Sequence, residues 1–259
     1  MFFKKKIAQE KFFLSDFFLN PHRLNIFYRS LQKFFNVMQK IKNVIFDLGN
    51  VIIDLDIPRT WQSFEHLLGE NFQDNLKKIN ADRDIFIQYE IGRITEQEFF
   101  DALRASTDMP VSIKQLKEAW NAMLLTIPKA RLDMLTELKK KYNVYLLSNT
   151  NQTHIDFVRC YLKTVHNVND FEGDFFHKPY YSHHINLRKP NADIYEFVLN
   201  DGKMNPKETI FFDDMPANIE TAKQLGIQAV LHPVGSEIVE RVNSLIGDWW
   251  LVNWWLVDW

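Results

Sequence analysis

A short apolar run, Lys42–Phe46 (KNVIF), ends at Asp47, with Gly49 two residues further on. About a hundred residues later Val144–Leu147 (VYLL) ends at Ser148-Asn149, and about sixty-five beyond that Thr209–Phe212 (TIFF) ends at Asp213-Asp214. Lys189 opens the segment Lys189-Pro190-Asn191 between the last two. In an open parallel sheet, ligands bind at the carboxyl ends of the strands, so three strands ending in polar residues bring those residues to one rim. Carboxylates gathered there repel one another unless a cation sits among them. A hard divalent ion with oxygen ligands, Mg²⁺ above all, relieves the repulsion and bridges to a phosphate. Ser148 and the amide of Asn149 can donate to phosphate oxygens, Lys189 adds a positive charge, and a carboxylate can serve as nucleophile. These are the parts of a phosphoryl-transfer site.

Each segment alone has a plainer reading. Ser148-Asn149 suits a turn through local hydrogen bonding, and Lys189 before Pro190 suits a solvated surface. Asp214 suits the N-terminus of the helix that follows it, where a negative charge is favoured. Asp54 and Asp56, just downstream of Asp47, read as ordinary polar residues leading out of the first strand, the alternative being a general acid or base for the same site.

The elements that must position these groups are legible from periodicity. The three runs, with Ile227–Leu231 (IQAVL) as a fourth, are continuous rather than alternating, as expected of strands covered on both faces. Helical patterns separate them. Pro128 can open one at its first position, and Leu132, Leu135 and Leu138 recur on one face. After Asp214, Ile219, Ala222 and Leu225 share a face, and Gly226 supplies the stop. Strand–helix–strand repeats imply an α/β fold with a doubly wound parallel sheet. Residues 57–127 differ: several helical patterns and no convincing strand, with Thr95 and Glu98 at capping-box spacing ahead of Phe99, Phe100 and Leu103. They read as a small all-helical cap inserted after the first strand, within a core of residues 38–56 and 128–247.

At these positions the chain resembles the haloacid dehalogenase-like superfamily. VIFDLGNVIID is similar to its first motif, with Asp47 in the nucleophile position, and LLSNT to its second, with Ser148. RKPNADIYE supplies the lysine of the third, Lys189, and FFDDMPANIETAKQLG the acidic pair of the fourth, Asp213 and Asp214. The resemblance implies a Rossmann-like core and a helical cap, and YEIGRITEQEFFDAL (Tyr89–Leu103) is similar to a cap segment of that subclass. It further implies a Mg²⁺-dependent phosphatase acting on small phosphorylated metabolites, with the metal held by Asp47, the Gly49 carbonyl, Asp213 and Asp214. The DLGNV wording of the first motif is closest to the sugar-phosphate phosphatases typified by bacterial glucose-1-phosphatase. One departure stands out. Where most family phosphatases carry a second Asp as general acid and base, this chain has Gly49, which cannot shuttle a proton. General acid–base help typically supplies ~10²–10⁴-fold, so the resemblance implies a modest rate or a good leaving group.

Other activities on the same fold fit less well. Dehalogenases of this type do without the metal, which leaves Asp213-Asp214 unexplained. A phosphonate hydrolase wants a Schiff-base lysine in the cap, and Lys77, Lys78, Lys114 and Lys117 sit in no such motif. A phosphomutase depends on the Asp that Gly49 replaces. A non-catalytic binder of phosphorylated ligands tolerates Gly49 but does not need the full set Asp47, Ser148, Lys189 and Asp214.

Composition bounds the rest. With 259 residues, 46% hydrophobic, the chain can bury a sizeable core. A net charge of −2 gives no electrostatic reason to expect a nucleic-acid partner. Cys160 is the only cysteine, which excludes an intramolecular disulfide and reads as buried and inert. His177, His183 and His184 lack zinc-pair spacing and read as loop residues near the site entrance; Trp61, Tyr89 and Trp120 read as cap core. Residues 1–37, rich in Phe with a basic excess, read as a dispensable leader, the sharper alternative being an amphipathic segment that touches a membrane surface. Residues 248–259 (DWWLVNWWLVDW) form a Trp-rich tail that packs on something or promotes association. No signal-peptide pattern and no spanning stretch is present, so the expected compartment is the cytoplasm. No motif encodes an oligomeric state.

Overall fold

The computed structural model describes residues 41–80 and 84–246; the leader 1–37 and the tail 248–259 lie outside the described residues. Strand β1 (Asn43–Phe46) is followed by α1 (Ile57–Leu68), α2 (Phe72–Asn80), α3 (Ile85–Glu90), α4 (Glu96–Ala105) and α5 (Ile113–Asn121). The chain then returns through α6 (Lys129–Lys139), β2 (Asn143–Ser148), α7 (Gln152–His166), α8 (Phe171–Phe175), β3 (Lys178–Tyr181), α9 (Ser182–Ile185) and α10 (Ala192–Asp201). After a 3₁₀ turn at Pro206–Glu208 come β4 (Thr209–Asp213), α11 (Pro216–Gln224), β5 (Gln228–Leu231) and α12 (Ile238–Ile246).

The five strands form one parallel sheet in the order β3-β2-β1-β4-β5. Strand order reverses between β1 and β4, so the crevice that such a switch point opens lies at their carboxyl ends. Ile45, Tyr145, Leu147, Tyr180 and Phe211 face α10 and α11 across one side of the sheet. On the other side α6 packs on β2, with α8 and α12 packed against α6. Phe46 and Phe212, neighbours in register, stack with ring centroids 5.2 Å apart. Each such buried ring contributes roughly 1.5–3 kcal/mol, which makes the three inner strands a rigid platform.

β3 (KPYY) escapes the sequence reading for a physical reason. It is a four-residue edge strand carrying Pro179, a residue tolerated in sheets only where one side of the ladder is unpaired. Pro128 sits one residue outside its helix, in an extended conformation, rather than at its first position. His177 is not near the site: its Nδ1 accepts from the backbone N–H of Val144, at the amino end of β2 and thus opposite the rim. Cys160 is exposed rather than buried, because the inward stripe of α7 runs through Ile155, Val158 and Leu162 and turns position 160 outward.

The helical cap has its own aromatic core, in which Phe64, Phe72, Phe99 and Phe100 are fully buried and Tyr89 stacks on Phe99 at 4.6 Å. The capping box at α4 is complete: the N–H of Glu98 donates to Thr95 Oγ1 (3.2 Å), and the N–H of Thr95 donates to Glu98 Oε2 (2.7 Å). A second one, Ser112 with Gln115, starts α5. The two chain segments joining cap to sheet run antiparallel as a pair. Asp54 N–H donates to Thr126 O (2.9 Å), Leu125 N–H to Asp54 O (3.0 Å) and Asp56 N–H to Met123 O (2.9 Å). The buried Arg131 ties this hinge to the core through Asp54 Oδ1 (2.8 Å) and Glu237 Oε1 (3.2 Å). No helix among the described residues is long and apolar enough to cross a membrane.

Candidate active site

The register of the inner strands places the chemistry. Phe46 pairs with both Leu146 and Phe212, so the next residue of each strand, Asp47, Leu147 and Asp213, stands at one level of the rim. The backbone of Asp47 extends the ladder, its N–H donating to Phe212 O at 2.9 Å. Lys189 arrives from the loop before α10 and is 2% exposed. Its Nζ donates to Asp47 Oδ1 (2.7 Å), Asp213 Oδ2 (2.7 Å) and Leu147 O (3.0 Å), so all three donors of the ammonium are satisfied.

The two aspartates of the acidic pair have different surroundings. Asp213 is fully buried. Beyond Lys189 its carboxylate accepts from Met215 N–H (2.8 Å) and from Asn218 Nδ2 (2.8 and 3.0 Å). Neither aspartate caps α11 with its side chain; Asp213 instead holds the N–H of Met215 just ahead of that helix and the Asn218 side chain in its first turn. Asp214 is partly exposed and accepts from Asn50 Nδ2 at 2.9 Å.

Carboxylate oxygens of Asp47, Asp213 and Asp214 lie within 4.8 Å of one another. Burial is the main cause that pushes the Asp47 carboxyl up to about 7; Lys189 opposes it, and Asp213 and Asp214 add to it. Asp214 is likewise raised, by burial first, with Asn50 opposing. Burial alone would lower Lys189, but Asp47 and Asp213 hold it above the ordinary lysine range. Three carboxyl groups share one contacting ammonium, and the donor set is all oxygen. That chemistry fits a hard divalent cation. Asp214, the one partly exposed carboxylate of the three and bound by Asn50 alone among the side chains, is the best able to turn toward one.

Ser148 ends β2 and is buried against the rim beside Gly49. Asn149 follows it, and its side-chain amide is engaged within the protein. Its Nδ2 donates to Lys189 O and its Oδ1 accepts from Lys189 N–H, both at 2.9 Å, so the side-chain amide clamps the lysine loop. A Cβ built on Gly49 would stand 2.7 Å from Leu55 Cδ1, so the tip of Leu55 fills the space a side chain there would need.

Above the rim, cap and core enclose a cavity of about 280 Å³. Leu48, Gly49, Ser148 and Asn149 line its core side, and Phe86, Glu90 and Trp120 its cap side. The seam around it is closed by polar contacts at the start of α7. Tyr89 Oη and Thr153 Oγ1 are 2.6 Å apart, Thr153 Oγ1 donates to Glu96 Oε2 (2.6 Å), and Trp120 Nε1 donates to Asn151 Oδ1 (3.3 Å). Tyr89 and Trp120 are thus cap core at one end and cap-to-core contacts at the other. Asn151, His154, Asn218 and Asn50 were not singled out from the sequence. Only Asn151 had a usable signal, as a capping residue just ahead of a helical pattern. His183 lies at the carboxyl end of the sheet, its Nδ1 3.0 Å from Thr150 O.

A family model described as haloacid dehalogenase-like hydrolase matches residues 41–226. A D-ribitol-5-phosphate phosphatase of Bacteroides thetaiotaomicron is 32% identical over 146 residues, 56% of this chain and 69% of that protein. A sesquiterpene phosphatase of Aspergillus oryzae is 29% identical over 140 residues, 54% of this chain and 68% of that one. Among solved structures, a HAD family enzyme from Bacteroides thetaiotaomicron in complex with magnesium and inorganic phosphate superposes with a TM-score of 0.67 at 38% identity. The match covers 76% of this chain and 96% of that one.

Proposed function

The chain belongs to the haloacid dehalogenase-like hydrolases, and from that premise we propose that it is a magnesium-dependent phosphatase of small phosphomonoesters, sugar or polyol phosphates foremost, working through an aspartyl-phosphate on Asp47. The observation that carries this reading is the buried rim itself: Asp47 held by Lys189 beside Asp213 and Asp214, under a cavity of about 280 Å³. The named activities of the relatives, and the magnesium and phosphate bound by one of them, support it.

Asp47, Asp214 and the Gly49 carbonyl would hold the ion, with Asp213 behind them fixing Lys189. Bound there, magnesium would offset the charge of the rim and of the phosphoryl oxygens. Asp47 then attacks phosphorus with a carboxylate oxygen, and the bond to the leaving oxygen breaks. Lys189 and Ser148 stabilise charge on the phosphoryl oxygens that remain. With glycine at position 49, the proton that the leaving oxygen takes up comes from solvent. Water next attacks phosphorus, the bond to Asp47 breaks, and inorganic phosphate leaves. Lack of a positioned proton donor limits the rate by as much as ~10²–10⁴-fold.

Phosphonate hydrolysis is the weaker reading. No lysine is among the described residues lining the cavity, and Lys77, Lys114 and Lys117 are paired on the surface with Asp74, Glu118 and Glu96. The test is phosphate release from a panel of hexose and polyol phosphates with and without Mg²⁺, with Asp47→Asn as control. Full activity in excess chelator, or an acid-quenched phosphoryl adduct on another residue, overturns the reading.

A further inference from the structure

His154 stands at the third residue of α7, beneath the cap, and is 8% exposed. Three contacts hold the residue, two of them at the imidazole. The ring stacks on Trp120 with centroids 4.7 Å apart, its backbone N–H donates to Asn151 Oδ1 (3.1 Å), and its Nδ1 lies 2.9 Å from Asn121 Oδ1 in the cap. Burial pushes the imidazole down to about 3, so the ring is neutral. In a neutral ring one nitrogen donates and the other accepts. Donation from Nδ1 to Asn121 Oδ1 leaves Nε2 with its lone pair, and Nε2 makes no hydrogen bond among the described residues.

His154 lines the cap–core cavity, together with an apolar wall of Leu55, Ile57, Phe86, Met123, Leu124 and Val158. Of the other polar side chains of that lining, Asn149 is engaged with the backbone of Lys189, Asn151 with Trp120 and His154, and Glu90 through Oε1 with Arg188 Nε at 2.9 Å, while the hydroxyls of Ser148 and Thr150 complete the polar side nearest the rim. A fixed acceptor set beside an apolar wall is a hydroxyl detector. A ligand that fills the cavity and offers no donor strips water from Nε2 and returns nothing, and a site built to bond a hydroxyl rejects the analogue that lacks it. The size is consistent: about 280 Å³ corresponds to roughly nine water volumes of ~30 Å³, the bulk of a polyol of five carbons.

We propose that His154 is a specificity-determining residue: its Nε2 accepts a hydrogen bond from a hydroxyl of the leaving group and selects polyol phosphates over phosphomonoesters without that hydroxyl. This rests on the phosphatase reading above and adds to it the side chain that chooses the substrate.

The test compares pentitol 5-phosphate with n-pentyl phosphate, equal in chain length and differing in hydroxyls, on the full chain and on His154→Leu and His154→Gln. The expected result is a loss of about 10–100-fold in kcat/KM for the pentitol phosphate in His154→Leu. The pentyl compound should change less than about twofold, and His154→Gln, whose amide oxygen can accept in place of Nε2, should recover most of the loss. Equal losses on both substrates would reduce His154 to packing under Trp120 and overturn the proposal, as would no loss on either. Should the unaltered protein release phosphate from neither compound, the phosphatase reading fails separately. Calorimetric binding of the two compounds to the same three proteins then decides on His154: discrimination present in the unaltered chain and lost in the Leu variant sustains it, and discrimination unchanged in that variant overturns it.

Discussion

The rim and the seam above it are built on opposite principles. At the rim, three carboxylates and a lysine are driven together by strand register, and charge is concentrated where burial makes it costly. In the seam, apolar walls from the cap meet the core, and single hydrogen bonds such as Tyr89 to Thr153 and Trp120 to Asn151 are the polar exceptions. A buried charge cluster is poorly stable in itself and well suited to bind an ion and a phosphate. A mostly dry seam with a few fixed acceptors stabilises the fold and discriminates between shapes. Chemistry and choice of substrate are therefore separable here, and substitutions should separate them.

The largest effect is expected at the nucleophile. Asp47→Asn should lower turnover by roughly 10⁴-fold or more on every substrate alike, measured as phosphate release. Lys189→Met comes next, since it leaves Asp47 and Asp213 buried without their cation. A loss of about 3–5 kcal/mol is expected in urea unfolding with chelator present, along with most of the activity.

The acidic pair should split. Asp214→Asn should raise the Mg²⁺ concentration for half-maximal activity about 10–100-fold with little change in stability, because Asp214 is partly exposed and accepts from Asn50. Asp213→Asn should instead unfold the protein more readily, because Asp213 gathers Lys189, Asn218 and the start of α11. Identical behaviour of the two variants would dissolve the distinction between metal-facing and structural aspartate.

A pH prediction follows from Asp47, whose carboxyl rises from 3.8 to about 7 on folding. Between those values the folded chain holds a proton that the unfolded chain has lost, so stability falls as pH rises. The contribution is full below about 4 and is lost as pH passes about 7. In chelator, thermal scans of the unaltered chain minus those of Asp47→Asn should show this decline, and saturating Mg²⁺ should flatten it. The smallest effect belongs to the seam: Tyr89→Phe should cost about 0.5–1.5 kcal/mol and shift KM more than kcat.

Much of this was legible from residues alone. Continuous apolar runs ending at Asp47, Ser148 and Asp213 announced central strands and a shared rim, because burial on both faces leaves a clear pattern in sequence. The capping box of Thr95 and Glu98 announced α4, because its hydrogen bonds are local. β3 did not show, since four edge residues with a proline carry little pattern. Cys160 was misread because the apolar stripe of its own helix, Ile155, Val158 and Leu162, was not followed, and His177 because nearness to a rim is set by neighbours far along the chain.

By itself, then, the sequence determined the parallel sheet, the helical insertion and the types of residue at the rim, all of which follow from local periodicity and strand-end position. Tertiary structure alone decided which aspartate is saturated and which is open, that Asn149 clamps Lys189, and that His154 lies under Trp120 at the cavity wall. The physical reason is the same in each case. A hydrogen bond's partner is chosen by the packing of distant segments, and a residue's type states what it can donate or accept without stating to whom.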